Sequence, residues 1–348
     1  MLKIGINGFG RIGRVLARQI IESSHFSLNH INDINPNLDN MAYLLKYDST
    51  YGNLTKSISI QEGKLNINNQ LVSYSSFSKI NECDWSNCDV IIDASGVEDN
   101  VIFSKELIKQ MPDKRVIVTH SSNNVDLEVI MGINHLDLTK DHSIVSSSIC
   151  DANAIAHPLK WIDDEFGIES GSVTTLHPWL SYQNLSDGPS ISQANPGVVW
   201  KDYALGRSSV DNLIPKNTTA VTATEKVVTS IQDKLVSFSY RIPTAIVSSS
   251  DIVLFLKQQI KYDDLIQLFE QKSNDGSWIR LNNESLVSKD YQQEESSGVI
   301  DLQWLKVKNN LVKLIIWYDN EWGYSKQVLD LAMHLNNIKQ TEKIKVLA

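Results

Sequence analysis

A glycine turn close to the N-terminus constrains this chain more than any other feature. Gly8-Phe9-Gly10-Arg11-Ile12-Gly13 follows an apolar segment of strand character, Lys3 to Asn7, and opens a helical pattern, Arg11 to Ser23. In that context glycines permit a tight turn and let a pyrophosphate approach the helix N-terminus, where free N–H groups and the helix dipole favour an anion. Gly8, Phe9, Gly10, Arg11 and Ile12 are therefore candidate dinucleotide-binding residues. Asp33 lies about 20 residues past the last glycine, after the apolar run Phe26 to Asn32, where a carboxylate can accept from a ribose 2′-hydroxyl. The same carboxylate would repel a 2′-phosphate, and neighbouring Ile34 and Asn35 bring no guanidinium to receive one. NAD rather than NADP is predicted.

The first third of the chain goes on alternating short strands with helices, through Val90 to Ala94 and Arg115 to Val118, which predicts a parallel sheet with crossover helices. After Cys150 the runs are longer and β-rich: Ser170 to Leu176, Ser237 to Arg241, Ala245 to Lys257 and Lys313 to Tyr318. They predict a mixed, largely antiparallel sheet. With 348 residues, 42% of them hydrophobic, the chain can fill two cores, so two domains are expected. Leu180 to Asn212 is rich in Ser, Gly, Pro and Asn and reads as a long surface loop with a functional role. Ser325 to Asn336 places Val328, Leu329, Ala332, Met333 and Leu335 on one helical face that must dock.

A net charge of -9 without a Lys/Arg stripe argues against nucleic acid as a partner. No apolar run approaches the roughly 20 residues that cross a bilayer, and the N-terminus lacks the texture of a secretory leader. A cytoplasmic protein without a membrane partner is expected. Three cysteines, Cys83, Cys88 and Cys150, speak for reduced thiols and not a disulfide framework. Cys83 and Cys88 stand without partner ligands and read as two free thiols; His120, His135 and His157 read as structural, and no metal site is assigned.

Cys150 is the one cysteine with chemical promise. It follows a strand at the expected start of a helix, whose N-terminus stabilises a thiolate. His177 ends the run Val173-Thr174-Thr175-Leu176 and can serve as base to that thiol if the fold joins them. Spacing alone does not join them, and a lone cysteine is more often inert core.

Four motifs occur in order, the glycine turn among them: Asn7 to Arg14, Lys46-Tyr47-Asp48-Ser49-Thr50-Tyr51-Gly52, Arg241-Ile242-Pro243-Thr244, and Trp317-Tyr318-Asp319-Asn320-Glu321-Trp322-Gly323-Tyr324-Ser325. In them the chain resembles glyceraldehyde-3-phosphate dehydrogenases. The resemblance implies a Rossmann dinucleotide-binding domain, residues 1–149 and 320–348, interrupted by an α+β catalytic domain, residues 150–319. It implies Cys150 as nucleophile, with Asn153 following as expected, His177 as general base, and Asn320 holding the nicotinamide carboxamide. Thr119 joins the cofactor set, and Glu321 and Tyr324 support its pocket. The implied activity is oxidation of a small phosphorylated aldehyde through a thiohemiacetal and a thioester, released by inorganic phosphate, in a cytoplasmic homotetramer serving glycolysis.

The chain departs from the family where the family holds anions. Ile149 and Asp151 stand where the family has Ser and Thr, Leu180 and Tyr182 where it has Thr and Asp, and Ala204 and Leu205 where it has arginines. Its Thr-Gly pair becomes Thr218-Thr219. Arg241, Thr218 and Arg207 remain as substrate-binding candidates. The losses predict weak phosphate binding, and Asp151 predicts a raised thiol pKa. Two other readings follow: a paralogue oxidising another aldehyde with an altered acyl acceptor, or an NAD-binding protein of low activity with a regulatory role.

Overall fold

The computed structural model describes residues 1–191, 200–273 and 278–347, with side chains to residue 339. Two compact units emerge. The first comprises Met1–Val129, His135–Ser148 and Ser325–Ala348; the second comprises Ile130–Asn134 and Ile149–Tyr324.

The first unit follows the expected alternation: β1 (Leu2–Asn7), α1 (Arg11–Glu22), β2 (Phe26–Asn32) and α2 (Leu38–Lys46), then β3 (Ile58–Gln61), β4 (Lys64–Ile67) and β5 (Gln70–Ser75). β6 (Val90–Asp93), α3 (Glu98–Gln110), β7 (Arg115–Val118), β8 (Leu127–Glu128) and β9 (Ile144–Ser146) complete the sheet, whose order is β3-β4-β5-β2-β1-β6-β7-β9-β8. α1 buries Val15, Leu16 and Ile20 on one stripe. The part from β5 to β8 is parallel, as expected, whereas β3, β4 and β5 form an antiparallel meander that periodicity did not reveal. Its cause lies in two tight turns: Glu62 and Gly63, then Asn68 and Asn69, all take positive φ, the twist that suits two-residue hairpin loops. Cys83 and Cys88 are free and buried beside Trp85, and burial pushes both thiols up to about 12.

The second unit begins its regular structure with α4 (Cys150–Phe166), β10 (Ile168–Pro178), β11 (Ile214–Lys216), α5 (Ala220–Val227), β12 (Leu235–Ile242) and β13 (Ser248–Leu256). α6 (Tyr262–Ser273), β14 (Ile279–Asn282), β15 (Gly298–Lys308) and β16 (Leu311–Tyr318) follow, and the sheet order is β11-β12-β10-β13-β16-β15-β14. Among the described residues only β10–β12 and β14–β15 pair in parallel, so the sheet is mixed and largely antiparallel. α4 turns Ala152, Ile155, Ala156, Leu159 and Ile162 onto Val173, Ile252, Leu314 and Ile316 of the sheet. Each such large aliphatic contributes about 1.5–3 kcal/mol by leaving water, which fixes where α4, and so Cys150, must lie.

Two expectations change in extent. The segment after Leu180 contains a short 3-10 turn, Tyr203–Gly206, and pairs back on itself through Gly188 N to Gly206 O at 2.9 Å; residues 192–199 of that expected loop lie outside the described residues. The terminal helix α7 runs over Trp322–Leu347, longer than the amphipathic stretch alone, and from Ser325 onward belongs to the first unit. Among the described residues no helix is long and apolar enough to cross a membrane.

Candidate active site

In the first unit the glycine turn is built as its sequence requires. Gly8 has φ +88°, and a Cβ there would stand 2.6 Å from the Ser95 backbone, so only glycine fits. Gly10 precedes α1 as its N-cap, makes no side-chain cap, and faces open space where a Cβ would meet nothing within 4 Å. No acidic residue lies in the first turn. A positive helix end with room before it suits a pyrophosphate. Asp33 Oδ2 accepts from Phe9 N at 2.6 Å and Oδ1 from Asn35 N at 2.9 Å, which ties the carboxylate to the turn while leaving lone pairs for a ribose. Arg11 pairs with Asp48 at 2.5 Å, joining two of the sequence motifs. Thr119 follows β7 and donates to Asp93 O at 3.1 Å, at the carboxyl ends of the strands, where open α/β sheets bind ligands.

In the second unit the fold joins two residues 27 apart in sequence. Cys150 is the first residue of α4 and His177 the penultimate residue of β10; Sγ and Nε2 stand 3.9 Å apart. β10 ends there because Pro178 brings no N–H to the ladder. The Pro178 carbonyl, 2.8 Å from His177 Nδ1, can only accept, so Nδ1 carries the proton and Nε2 turns its lone pair toward the thiol. Burial, aided by the Arg241 charge, pushes the His177 imidazole down to about 4, so it is neutral near pH 7.

Asp151 governs the thiol. Its Oδ1 lies 3.5 Å from Cys150 Sγ and accepts from the Tyr318 hydroxyl at 2.7 Å, while Oδ2 is 3.5 Å from Thr218 Oγ1. Burial, then the Asp151 charge, push the Cys150 thiol well above its ordinary range. The helix end, worth about 0.3–2 kcal/mol, does not offset them, so the resting form is the thiol. Thiol and imidazole are both neutral at rest, and the proton moves only as attack begins.

The anion candidates divide. Arg241 lies on β12 opposite His177, is buried, and donates from Nη2 to Tyr182 Oη at 3.3 Å. Thr218 lies by Asp151, as given above. Arg207 is not brought to the pair: it is exposed and bonds Asp187 at 2.7 Å. Sequence reading missed the Tyr318–Asp151 bond, which no local pattern signals, and Lys216 on β11, whose place depends on strand pairing. His120 pairs with Glu98 at 3.1 Å and buried His157 bonds Met131 O at 3.0 Å.

A dinucleotide-type sheet and a closely approaching cysteine–histidine pair in one chain define a class, the cysteine-dependent oxidoreductases of two-domain α/β architecture. Residues 2–100 match the family described as glyceraldehyde 3-phosphate dehydrogenase, NAD binding domain, and residues 149–320 match its C-terminal domain. The chain belongs to the glyceraldehyde 3-phosphate dehydrogenase family. It is 33% identical over 342 residues to the cytosolic glyceraldehyde-3-phosphate dehydrogenase of Chondrus crispus, covering 97% of this chain and 99% of the relative. The cytosolic enzyme of Gracilaria gracilis is 33% identical over 344 residues, with the same coverages. Glyceraldehyde-3-phosphate dehydrogenase 1 of Schizosaccharomyces pombe is 33% identical over 338 residues, covering 95% of this chain and 97% of the relative.

Proposed function

We propose that this chain is an NAD-dependent, phosphorylating glyceraldehyde-3-phosphate dehydrogenase, with Cys150 as nucleophile and His177 as general base. The observation that carries the reading is the 3.9 Å approach of Sγ to a ring nitrogen held as an acceptor by the Pro178 carbonyl. An NAD-binding protein without catalysis has no use for that tautomer, so the regulatory reading is not favoured.

Cys150 Sγ attacks the aldehyde carbon while His177 Nε2 takes the thiol proton, giving a thiohemiacetal. The imidazolium so formed then donates to the carbonyl-derived oxygen. Bound NAD would supply the two-electron oxidation; as the thiohemiacetal carbon gives up hydride, His177 Nε2 takes back the hydroxyl proton, which leaves a thioester on Cys150 and an imidazolium beside it. Inorganic phosphate attacks the thioester carbonyl, the C–S bond breaks, and Sγ regains its proton from the His177 imidazolium as the acyl phosphate leaves.

The residues fit the cofactor: Gly8, Phe9, Gly10, Arg11 and Ile12 with the α1 N-terminus would hold the pyrophosphate, and Asp33 the ribose. Thr119 completes that set. Asn320 is buried and its Oδ1 finds no partner among the described residues, which suits an amide donor such as the nicotinamide carboxamide. On this reading residues 1–149 and 320–348 form the cofactor domain and residues 150–319 the catalytic one. A cytoplasmic homotetramer accords with the cytosolic relatives and with Val236, Phe238 and Phe255, exposed on the second sheet; sedimentation of the purified chain reads its mass directly.

The test is NADH formation from glyceraldehyde 3-phosphate, followed at 340 nm against a series of other aldehydes. The phosphorylated aldehyde should be preferred, and a better unphosphorylated substrate would replace this reading with the paralogue. In the same assay kcat/KM with NAD should exceed that with NADP by roughly a hundredfold, about 2.7 kcal/mol of discrimination by Asp33. Equal efficiency with both would remove Asp33 from that role.

A further inference from the structure

The sheet face that presents His177 also presents two cations. β12 sets Arg241 beside His177, and β11 sets Ile214 opposite Arg241 and Lys216 opposite Ser239. Side chains alternate along a strand, so Lys216 and Arg241 rise from the same face as diagonal cross-strand neighbours, a spacing of about 7–8 Å. Arg241 is only 8% exposed, and its Nε has no hydrogen-bond partner. Its outer nitrogen meets a phenol, Tyr182, and not a carboxylate. Among the described residues neither Arg241 nor Lys216 makes an ion pair. The carboxylates within electrostatic reach of Lys216 are Asp151 and Asp202, and Asp151 is already bonded by Tyr318. Two like charges in a partly buried setting, with a buried N–H left over, are unfavourable by themselves and favourable around an anion.

We propose that Lys216, with Arg241 and the Tyr182 hydroxyl, forms this chain's phosphate-recognition site, replacing the hydroxyl and guanidinium donors lost at Ile149, Asp151, Leu180 and Leu205. The proposal rests on the dehydrogenase reading and extends it to the ligand. The division of labour follows from the side chains. A guanidinium fork grips two oxygens of a tetrahedral anion, an ammonium adds a compact charge that accepts any orientation, and the phenol donates once its own acceptor role to Arg241 is filled. Burial, with the Arg241 charge pulling the same way and Tyr182 opposing, holds the Lys216 ammonium below the ordinary lysine range. A bound dianion would reverse that pressure. Arg207, engaged by Asp187 at the surface, is not needed. On this proposal a rebuilt site stands in place of the weak phosphate binding that the lost donors predict.

The ligand is a phosphate group, carried by the aldehyde or free as the acyl acceptor, and the experiment separates the two. The full chain and its Lys216→Met and Lys216→Arg variants are assayed with glyceraldehyde 3-phosphate and with unphosphorylated glyceraldehyde, each titrated with inorganic phosphate. If Lys216 holds the substrate's phosphate, Lys216→Met raises KM for the phosphorylated aldehyde roughly tenfold to a hundredfold, as loss of a charge-assisted bond predicts, and leaves glyceraldehyde unchanged. If it holds the free acceptor, the first turnover persists and the half-saturating phosphate concentration rises by the same factor. Lys216→Arg, which keeps the charge, should recover most of either loss. Both constants staying within twofold of the parent in Lys216→Met would overturn the proposal. A parent chain that forms no NADH would instead sink the dehydrogenase reading. Calorimetric titration with inorganic phosphate then decides the site separately: binding lost in Lys216→Met and kept in Lys216→Arg supports it, and binding unchanged in Lys216→Met overturns it.

Discussion

Cys150→Ser is expected to abolish NADH formation with every aldehyde, including the first turnover, while NAD binding survives. The argument is chemical and local. His177 is neutral and a weaker base than an ordinary imidazole, able to take a proton from a thiol as attack proceeds but far less readily from an alcohol, whose pKa is several units higher still. An oxygen ester would also be a poorer acyl donor than a thioester. The substitution is nearly isosteric, so circular dichroism should show an intact fold. Rapid-mixing absorbance at 340 nm and NAD titration by fluorescence quenching make the two measurements. A variant that kept most of its aldehyde oxidation would end the covalent mechanism.

His177→Asn should lower the rate of the first turnover by roughly a hundredfold or more, as general-base loss does, with NAD affinity unchanged. The wild-type pH profile carries a second reading of the same residue. Its imidazole is pushed down to about 4, so the base form is present throughout the neutral range and is lost only as pH falls toward that value. A base with the ordinary histidine pKa would already fail near 6.5. The acid limb of the single-turnover rate should therefore lie well below 6, and His177→Asn should remove it. An acid limb near 6.5 that persisted in the variant would assign the titration, and the base, to another group.

How much of this was legible beforehand depends on sequence distance. The glycine turn and Asp33 are local: strand, turn, helix and acid follow one another, and the bond from Phe9 N to Asp33 closes within the first two strands. The mixed character of the second sheet was legible from β-rich runs that alternate. The Cys150–His177 contact was not, because it requires α4 to lie on the sheet and β10 to end at Pro178, and tertiary packing sets both. Only the family resemblance supplied that pairing. Lys216 was invisible for a related reason. A lone lysine two residues past Ile214 has no periodicity to mark it, and its neighbours are set by the register of β11 with β12. Arg207 is the converse case: nearness along the chain suggested a guanidinium for the site, whereas in the fold its exposed side chain bonds Asp187. The hairpins of β3 to β5 escaped because their strands are short and polar, and their turns rest on positive φ at Glu62 and two asparagines.

The carboxylate that follows the nucleophile bears on how long such an enzyme lasts. Peroxide oxidises thiolates, climbing from sulfenic to irreversible sulfinic and sulfonic acids. Cys150 rests as a half-buried thiol beside Asp151 and so shows oxidants little of the reactive anion. Hydrogen peroxide should inactivate the chain slowly near neutral pH and faster as pH rises. Asp151→Asn should move that onset to lower pH by removing the charge that disfavours the thiolate. Rapid inactivation independent of pH would contradict this. Asp151 thus gives up some readiness at rest and gains endurance under oxidative load, with the reactive sulfur anion formed only when an aldehyde is there to consume it.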